Sequence, residues 1–127
     1  MSSKPNYDEV PSDYPYYEIR SSVAGYQSKL PMRTASDGKF YIPGNTPEER
    51  WHDWQYSMLF AEALAAKCLE SKSGKRAHMT EEQIISQYYV RAISAGGRYG
   101  SKAQLAWSFR KIAELLGWPL PKELANV

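Results

Sequence analysis

The sequence predicts a mainly α-helical protein: a three-helix, bundle-like domain with an N-terminal extended arm and a short β-hairpin. Three segments carry one start signal, a Ser or Thr followed three residues later by Glu or Gln, and each precedes apolar residues at helical spacing. These signals begin at Thr46, Thr80 and Ser101. A single capping box is a short pattern that also occurs by chance. Three boxes that each precede an apolar period predict three helices.

The helix bounds follow from start and stop signals. Pro47 suits a first helical position, and glycines follow the second and third helices, where a left-handed residue ends a helix. The expected helices run from about Pro47 to Leu69, from Glu81 to about Ser94, and from Lys102 to Leu116. One further turn is expected within residues 120–127. Residues 46–127 are therefore the predicted three-helix domain, and residues 1–45 are the predicted arm with its hairpin.

Each helix carries an apolar stripe that predicts its buried face. The stripe of the third helix is Leu105, Phe109, Ile112 and Leu116, and Trp107 lies off it, so we expect Trp107 to be exposed. On the first helix, Tyr56, Phe60 and Leu64 widen the stripe, so we expect burial on more than one side. That stripe comprises Trp51, Trp54, Met58, Ala61, Ala65 and Cys68.

The arm contains most of the prolines and tyrosines of the chain. Proline fixes φ, lacks an N–H and biases the preceding residue toward extended geometry, so residues 1–15 are predicted to be extended. Asp37-Gly38 predicts a tight hairpin turn, because both residues tolerate positive φ. An isolated two-stranded hairpin is marginal in water, so we expect this one to pack on the helices.

Composition and charge limit the setting and the partners. Cys68 is the only cysteine, which excludes an intrachain disulfide, and no apolar run is long enough for a signal peptide or a membrane helix. We expect a cytoplasmic protein that does not bind membranes. Residues 47–70 have a net charge of −3 and residues 71–127 a net charge of +5. The basic half could favour an acidic partner, although modest charge splits are common on solvated surfaces.

Catalysis and cofactor binding have little support in the sequence. Cys68, His52 and His78 follow no metal-ligand spacing, and Cys68 lies on an apolar stripe, so we expect no metal and no cofactor. The acidic pairs at residues 48–49 and 81–82 lie in first helical turns, where acids favour the helix dipole. We therefore expect a protein that is not an enzyme.

Two loops could bind phosphate. Residues 96–102 place three glycines, Arg98 and Lys102 at a helix N-terminus, where free N–H groups favour anions. The glycine spacing differs from that of a P-loop, and helix stops and caps explain each residue equally well. The second loop, residues 72–78, contributes Lys75 and Arg76.

Nucleic-acid binding could also use a helix-turn-helix arrangement. In one version the second and third helices form the pair, and Lys102, Gln104, Ser108 and Lys111 face a DNA groove, although the turn is longer than usual. In the other, residues 110–117 begin the motif, and the recognition helix would have to be residues 121–127, which are too few.

A protein partner is favoured by the aromatic side chains of the arm. Tyr14, Tyr16 and Tyr17, together with Trp107, are the expected partner contacts, because rigid amphipathic side chains act as interface anchors. It is an open alternative that the arm wraps the helices and buries its aromatics within the chain. The sequence sets neither the oligomeric state nor the identity of the partner.

The favoured function is a small, non-catalytic binding or accessory protein that acts on a macromolecular partner, with a protein as the expected partner. Nucleic-acid binding through residues 71–111 is the alternative, and an enzyme that binds a phosphorylated ligand at residues 96–102 is the third hypothesis. In length and composition the chain resembles small accessory proteins of phages and mobile elements, and no motif narrows this resemblance.

Overall fold

The computed structural model describes residues 6–16 and 32–125 and confirms the mainly helical fold with a short antiparallel hairpin. In chain order the elements are a 3₁₀ turn (Tyr7–Glu9), β1 (Arg33–Thr34), β2 (Phe40–Tyr41), α1 (Pro47–Ser73), α2 (Glu81–Ser94), α3 (Lys102–Leu116) and α4 (Lys122–Ala125). The bounds of α2 and α3 match the prediction, whereas α1 continues about one turn past Leu69. The chain divides into two compact units, Met1–Trp54 and Gln55–Val127.

All three predicted capping boxes are formed. At α2 the Gln83 N–H donates to Thr80 Oγ1 at 3.2 Å, and the Thr80 N–H donates to Gln83 Oε1 at 2.9 Å. Ser101 and Gln104 repeat this pair of hydrogen bonds at α3. At α1 the Glu49 N–H donates to Thr46 Oγ1 at 3.1 Å. Each box satisfies N–H groups that a helix start would otherwise leave unpaired.

The hairpin has a different turn from the predicted one. Arg33 lies opposite Tyr41, and the Ala35 N–H donates to the Lys39 carbonyl at 3.0 Å, so the loop has three residues, 36–38. Gly38 has a φ of 80°, and no described non-glycine residue has a positive φ. The tight turn expected at Asp37-Gly38 is thus a longer loop, and such a loop needs only one left-handed residue, here Gly38.

The first turn of α1 holds the hairpin, as expected of a two-stranded ribbon. Glu48 accepts hydrogen bonds from the N–H and the hydroxyl of Ser36, and the hydroxyl bond lowers the pKa of the Glu48 carboxyl. Glu49 accepts from Arg33 Nη1 at 3.4 Å and from the Gly44 N–H at 3.0 Å. These two acids therefore connect the hairpin to the helix start in addition to favouring the helix dipole.

The core of the second unit is formed by residues of α1, α2, α3 and α4 around Phe109. The Phe109 ring packs edge-to-face on Phe60 of α1 and on Tyr89 of α2, with centroid distances of 6.1 and 5.2 Å. From α1 the fully enclosed side chains are small, and from α4 Leu124 closes the core. Of the three residues expected to widen the buried stripe of α1, Phe60 and Leu64 are partly buried against the core, whereas Tyr56 is 49% exposed, so the prediction was wrong for Tyr56.

Trp107 is the second correction to the predicted burial. Its side chain is 4% exposed, although it lies off the stripe that faces the main core. All five residues from 105 to 109 are buried. A helix buries five consecutive residues only when more than one of its sides is covered, which a single-stripe analysis does not foresee. Trp107 is therefore not an exposed anchor for a partner.

The cap of α3 can be tested by a Ser101→Ala substitution. We expect the free energy of unfolding to fall by about 1 kcal/mol, because the Gln104 N–H loses its acceptor. Urea denaturation measures this change. The control is Ser94→Ala, whose exposed hydroxyl only donates back to the Val90 carbonyl and should change stability by less than about 0.5 kcal/mol. Equal effects of the two substitutions would contradict the capping role.

Candidate functional site

The loop between α1 and α2, a predicted phosphate contact, is held together by its own basic side chains. Arg76 donates to Gln87 Oε1 and, at 3.1 Å, to Ser71 Oγ, and its guanidinium lies 5.1 Å from the Tyr88 ring centroid. Lys72 Nζ donates to the Met79 carbonyl at 2.7 Å. Lys75 is exposed. Arg76 therefore joins the end of α1 to α2 rather than projecting toward a ligand.

The glycine-rich loop before α3 is shaped by backbone geometry. Gly96, Gly97 and Gly100 have φ values of 66°, 86° and 123°, and a Cβ at Gly100 would lie 2.9 Å from Gln104 Oε1. Arg98 and Lys102 are exposed. The side chains of Ser101 and Gln104 bond to the backbone N–H groups of the cap. Gln104 would have to leave its cap to contact a nucleic acid.

The face of α3 proposed to read DNA is largely covered. Ser108 is 2% exposed, and Lys111 is only partly exposed and pairs with Glu114 at 3.5 Å. The second helix-turn-helix version also fails, because α4 has four residues and Leu124 is fully buried in the core. Ser108 therefore does not face a groove as the first version requires, and α4 is too short to be the recognition helix of the second.

The tyrosines of the arm have different environments. Tyr14 is 1% exposed, which contradicts the exposure that a partner contact requires, whereas Tyr16 is 64% exposed. Arg50 of α1 donates to the carbonyls of Tyr14 and Pro15, both at 3.1 Å, and its guanidinium lies 3.9 Å from the Tyr16 ring centroid. Tyr17 lies outside the described residues. The arm at residues 14–16 is thus docked on the start of α1.

A cavity of about 340 Å³ adjoins this contact in the first unit. Its lining is mixed in polarity and includes Tyr7, Asp8, Tyr41 and Arg50. Arg50 already donates to two backbone carbonyls, and Asp8 places a negative charge in the same cavity. The cavity therefore does not present an uncommitted positive group to an anionic ligand.

The second unit contains an open groove of about 380 Å³ between α1 and α2, here called the α1–α2 groove. Its walls are mainly apolar and aromatic, and its two charged residues, Lys67 and Arg91, are both basic. The complete lining is Phe60, Ala63, Leu64, Lys67, Tyr88, Arg91, Ala92, Ala95 and Tyr99. A concave apolar surface with a few polar groups is the usual form of a binding site.

The aromatic side chains of the groove are fixed by contacts with the fold. Tyr99 packs against Phe60 at a centroid distance of 5.4 Å, and Phe60 in turn packs on Phe109 in the core. The Tyr88 hydroxyl lies 2.7 Å from Ser71 Oγ, and Arg76 covers its ring. The groove is therefore a formed feature of the folded chain rather than a gap between mobile side chains.

An exposed apolar face of α1 continues from the groove. Tyr56, Leu59, Ala63 and Ala66 recur at three- and four-residue steps and are all exposed, and Ala63 also lines the groove. This face lies opposite the side of α1 that enters the core. Sequence reasoning missed this face because it assigned Tyr56 to the buried stripe of α1. A helical wheel of α1 that marked Leu59, Ala63 and Ala66 as a second stripe could have found it.

Metal ligation and the reactivity of Cys68 can be assessed in the part of the chain that the structure describes. Within residues 6–16 and 32–125, no three His, Cys, Asp or Glu side chains come together as metal ligands do. Burial raises the pKa of the Cys68 thiol to about 11, despite the opposing effect of Arg76. A thiol with this pKa is almost entirely protonated near neutral pH, which does not suit a nucleophile. None of the described helices has the length and hydropathy needed to span a bilayer.

Comparisons with known proteins add no relatives: no family model, no curated protein and no solved structure matches this chain.

The structural role of Arg76 predicts different outcomes for two neighbouring cations. Arg76→Ala should lower the free energy of unfolding by about 1 to 2 kcal/mol, because Gln87, Ser71 and Tyr88 lose a charged donor. Lys75→Ala should change it by less than about 0.5 kcal/mol. Urea denaturation distinguishes the two. A loss of stability confined to the Lys75 variant would contradict the structural role of Arg76.

The raised pKa of Cys68 predicts a loss of stability in alkaline solution. The folded chain holds the thiol proton more tightly than the unfolded chain, whose thiol has the ordinary pKa of 9.0. The stabilising contribution is therefore complete below pH 9 and is lost as the pH rises toward 11. Urea denaturation between pH 9 and 11 should show that the free energy of unfolding falls less steeply for Cys68→Ala than for the wild type. Tyr89 titrates in both proteins, so part of the decline is common to them. Equal declines in the free energy of unfolding would contradict the burial of a neutral Cys68 thiol.

Proposed function

We propose that the protein is a small, non-catalytic binding protein whose α1–α2 groove and adjoining α1 face dock a segment of another protein. The observation that carries this proposal is the continuity of the groove with the exposed apolar residues of α1. Together they form an apolar surface rimmed by charged side chains, which is typical of protein interaction sites.

The size of the groove favours a protein segment over a free metabolite. At about 380 Å³ it is at the small end of ligand pockets, and it shares Ala63 with the exposed apolar face of α1. A stable protein interface buries about 800 Å² on each partner, which requires both the groove and the face beside it. An apolar side chain in the groove would anchor a segment that covers the rest of the face.

The basic loops support the nucleic-acid alternative less well than this surface supports a protein partner. Arg76 and Lys72 are engaged within the fold, Gln104 belongs to a cap, and Ser108 is buried. The exposed cations of these loops, Lys75, Arg98 and Lys102, are not among the residues that line the α1–α2 groove.

The proposal can be tested by peptide selection with a substituted groove. A display library of random peptides, each long enough for about four helical turns, is selected on the wild-type chain. We expect peptides whose binding is lost in Ala63→Trp, because the indole fills the groove from an exposed helix position. Helical circular dichroism and the melting temperature establish that the variant is folded.

The matched control for this selection is Ala103→Trp. Ala103 is also an exposed helical alanine, but it lies in the first turn of α3 and does not line the groove. Peptides that bind this control as they bind the wild type, but not Ala63→Trp, support the proposal. A library that yields no peptide with this pattern would refute it.

A further inference from the structure

We infer that the partner segment is acidic: it places an apolar side chain in the α1–α2 groove and carboxylates on Lys67 and Arg91. This inference rests on the proposed function and adds the chemical class of the partner. Three features support it: the two cations that line the groove, the positions of the acidic residues of α1, and the contacts that the aromatic rings of the groove make within the fold.

Lys67 and Arg91 are cations with no partner among residues 6–16 and 32–125. Neither forms a hydrogen bond or an ion pair with another residue in the described part of the chain, although Arg33, Arg50, Lys72 and Arg76 all do. They project from different walls, Lys67 from α1 and Arg91 from α2, and both are exposed. A segment lying in the groove would pass between two available cations.

Glu70, an acidic residue of α1, lies about one helical turn from Lys67 on the same helix. Glu62 and Glu70 are exposed on the same helix, but neither lines the groove. Charge complementarity steers encounter and suppresses wrong partners, so a basic segment would meet repulsion at this site. The arrangement selects apolar segments that also carry negative charge.

The aromatic rings of the groove favour a protein over a single-stranded nucleic acid, although both would bring negative charge. Binding of single strands depends on aromatic faces that are free to stack on bases. Here Phe60 packs on Tyr99 and Phe109, and Arg76 lies over the Tyr88 ring. These contacts hold the rings in place within the fold, which suits apolar walls better than platforms that must adjust to stack on successive bases.

The test uses the peptides selected in the previous section. We expect the groove-dependent peptides to be enriched in Asp and Glu together with large apolar residues. One of them is synthesised in two forms, as selected and with every Asp and Glu replaced by Asn and Gln. Fluorescence anisotropy measures their affinities for the wild type and for Lys67→Glu/Arg91→Glu. The double substitution should lower the affinity for the acidic peptide by about tenfold and the affinity for the neutral peptide much less.

The matched control is Lys75→Glu/Lys102→Glu, which changes the net charge equally at two exposed cations outside the groove. Its affinity for the acidic peptide should stay within about twofold of the wild-type value. Equal weakening by both double variants would overturn the inference, because general attraction would then explain the binding. Groove-dependent peptides without an acidic bias would also overturn it and leave the proposed function standing. The absence of any groove-dependent peptide would instead refute the proposed function.

A labelled oligothymidine probes the nucleic-acid outcome. The inference predicts no binding that depends on Lys67 and Arg91. Tight binding of this probe that is lost in Lys67→Glu/Arg91→Glu and kept in Lys75→Glu/Lys102→Glu would overturn the inference in favour of a nucleic acid.

Discussion

The packing of Phe109 between Phe60 and Tyr89 is the interaction on which the second unit depends. One ring from α3 contacts a ring from α1 and a ring from α2, so a single side chain joins the three long helices. Aromatic pairs of this kind add specific geometry to the burial of apolar area. Phe60 then contacts Tyr99 in the loop before α3, which carries the core packing outward to the wall of the α1–α2 groove.

The small side chains that α1 places in the core determine how this helix is used. Ala61, Ala65 and Cys68 are buried, whereas the larger Tyr56 and Leu59 face outward. A helix that buried its largest apolar residues would leave a polar outer surface. Here Phe60 and Leu64 pack against the core, but Tyr56 and Leu59 remain exposed and leave an apolar outer face. This face is the main reason for proposing a binding role. The acids of the first turn of α1 hold the hairpin.

Helix positions could be predicted from the sequence, and helix surroundings could not. Caps are local: Thr80 with Gln83 and Ser101 with Gln104 need only a three-residue spacing, and the structure forms both boxes. Burial is not local, because it depends on which elements cover a helix. Trp107 and Tyr56 were assigned to the wrong environments for this reason. The hairpin turn failed on a finer point, since Asp-Gly fits both a two-residue loop and the three-residue loop that is present.

The candidate site was the hardest part to predict, because its signals resemble ordinary helix surfaces. Lys67 and Arg91 lie on two helices separated by a loop, and only the packing of α1 on α2 brings them to one groove. The central claim is that this groove is where a partner binds. It is tested most directly by amide chemical-shift mapping of the labelled chain with the tightest peptide selected on the wild type. The account predicts the largest shifts within residues 60–67 and 88–99. Shifts confined to the hairpin at residues 33–41 or to the loop at residues 72–78 would contradict it.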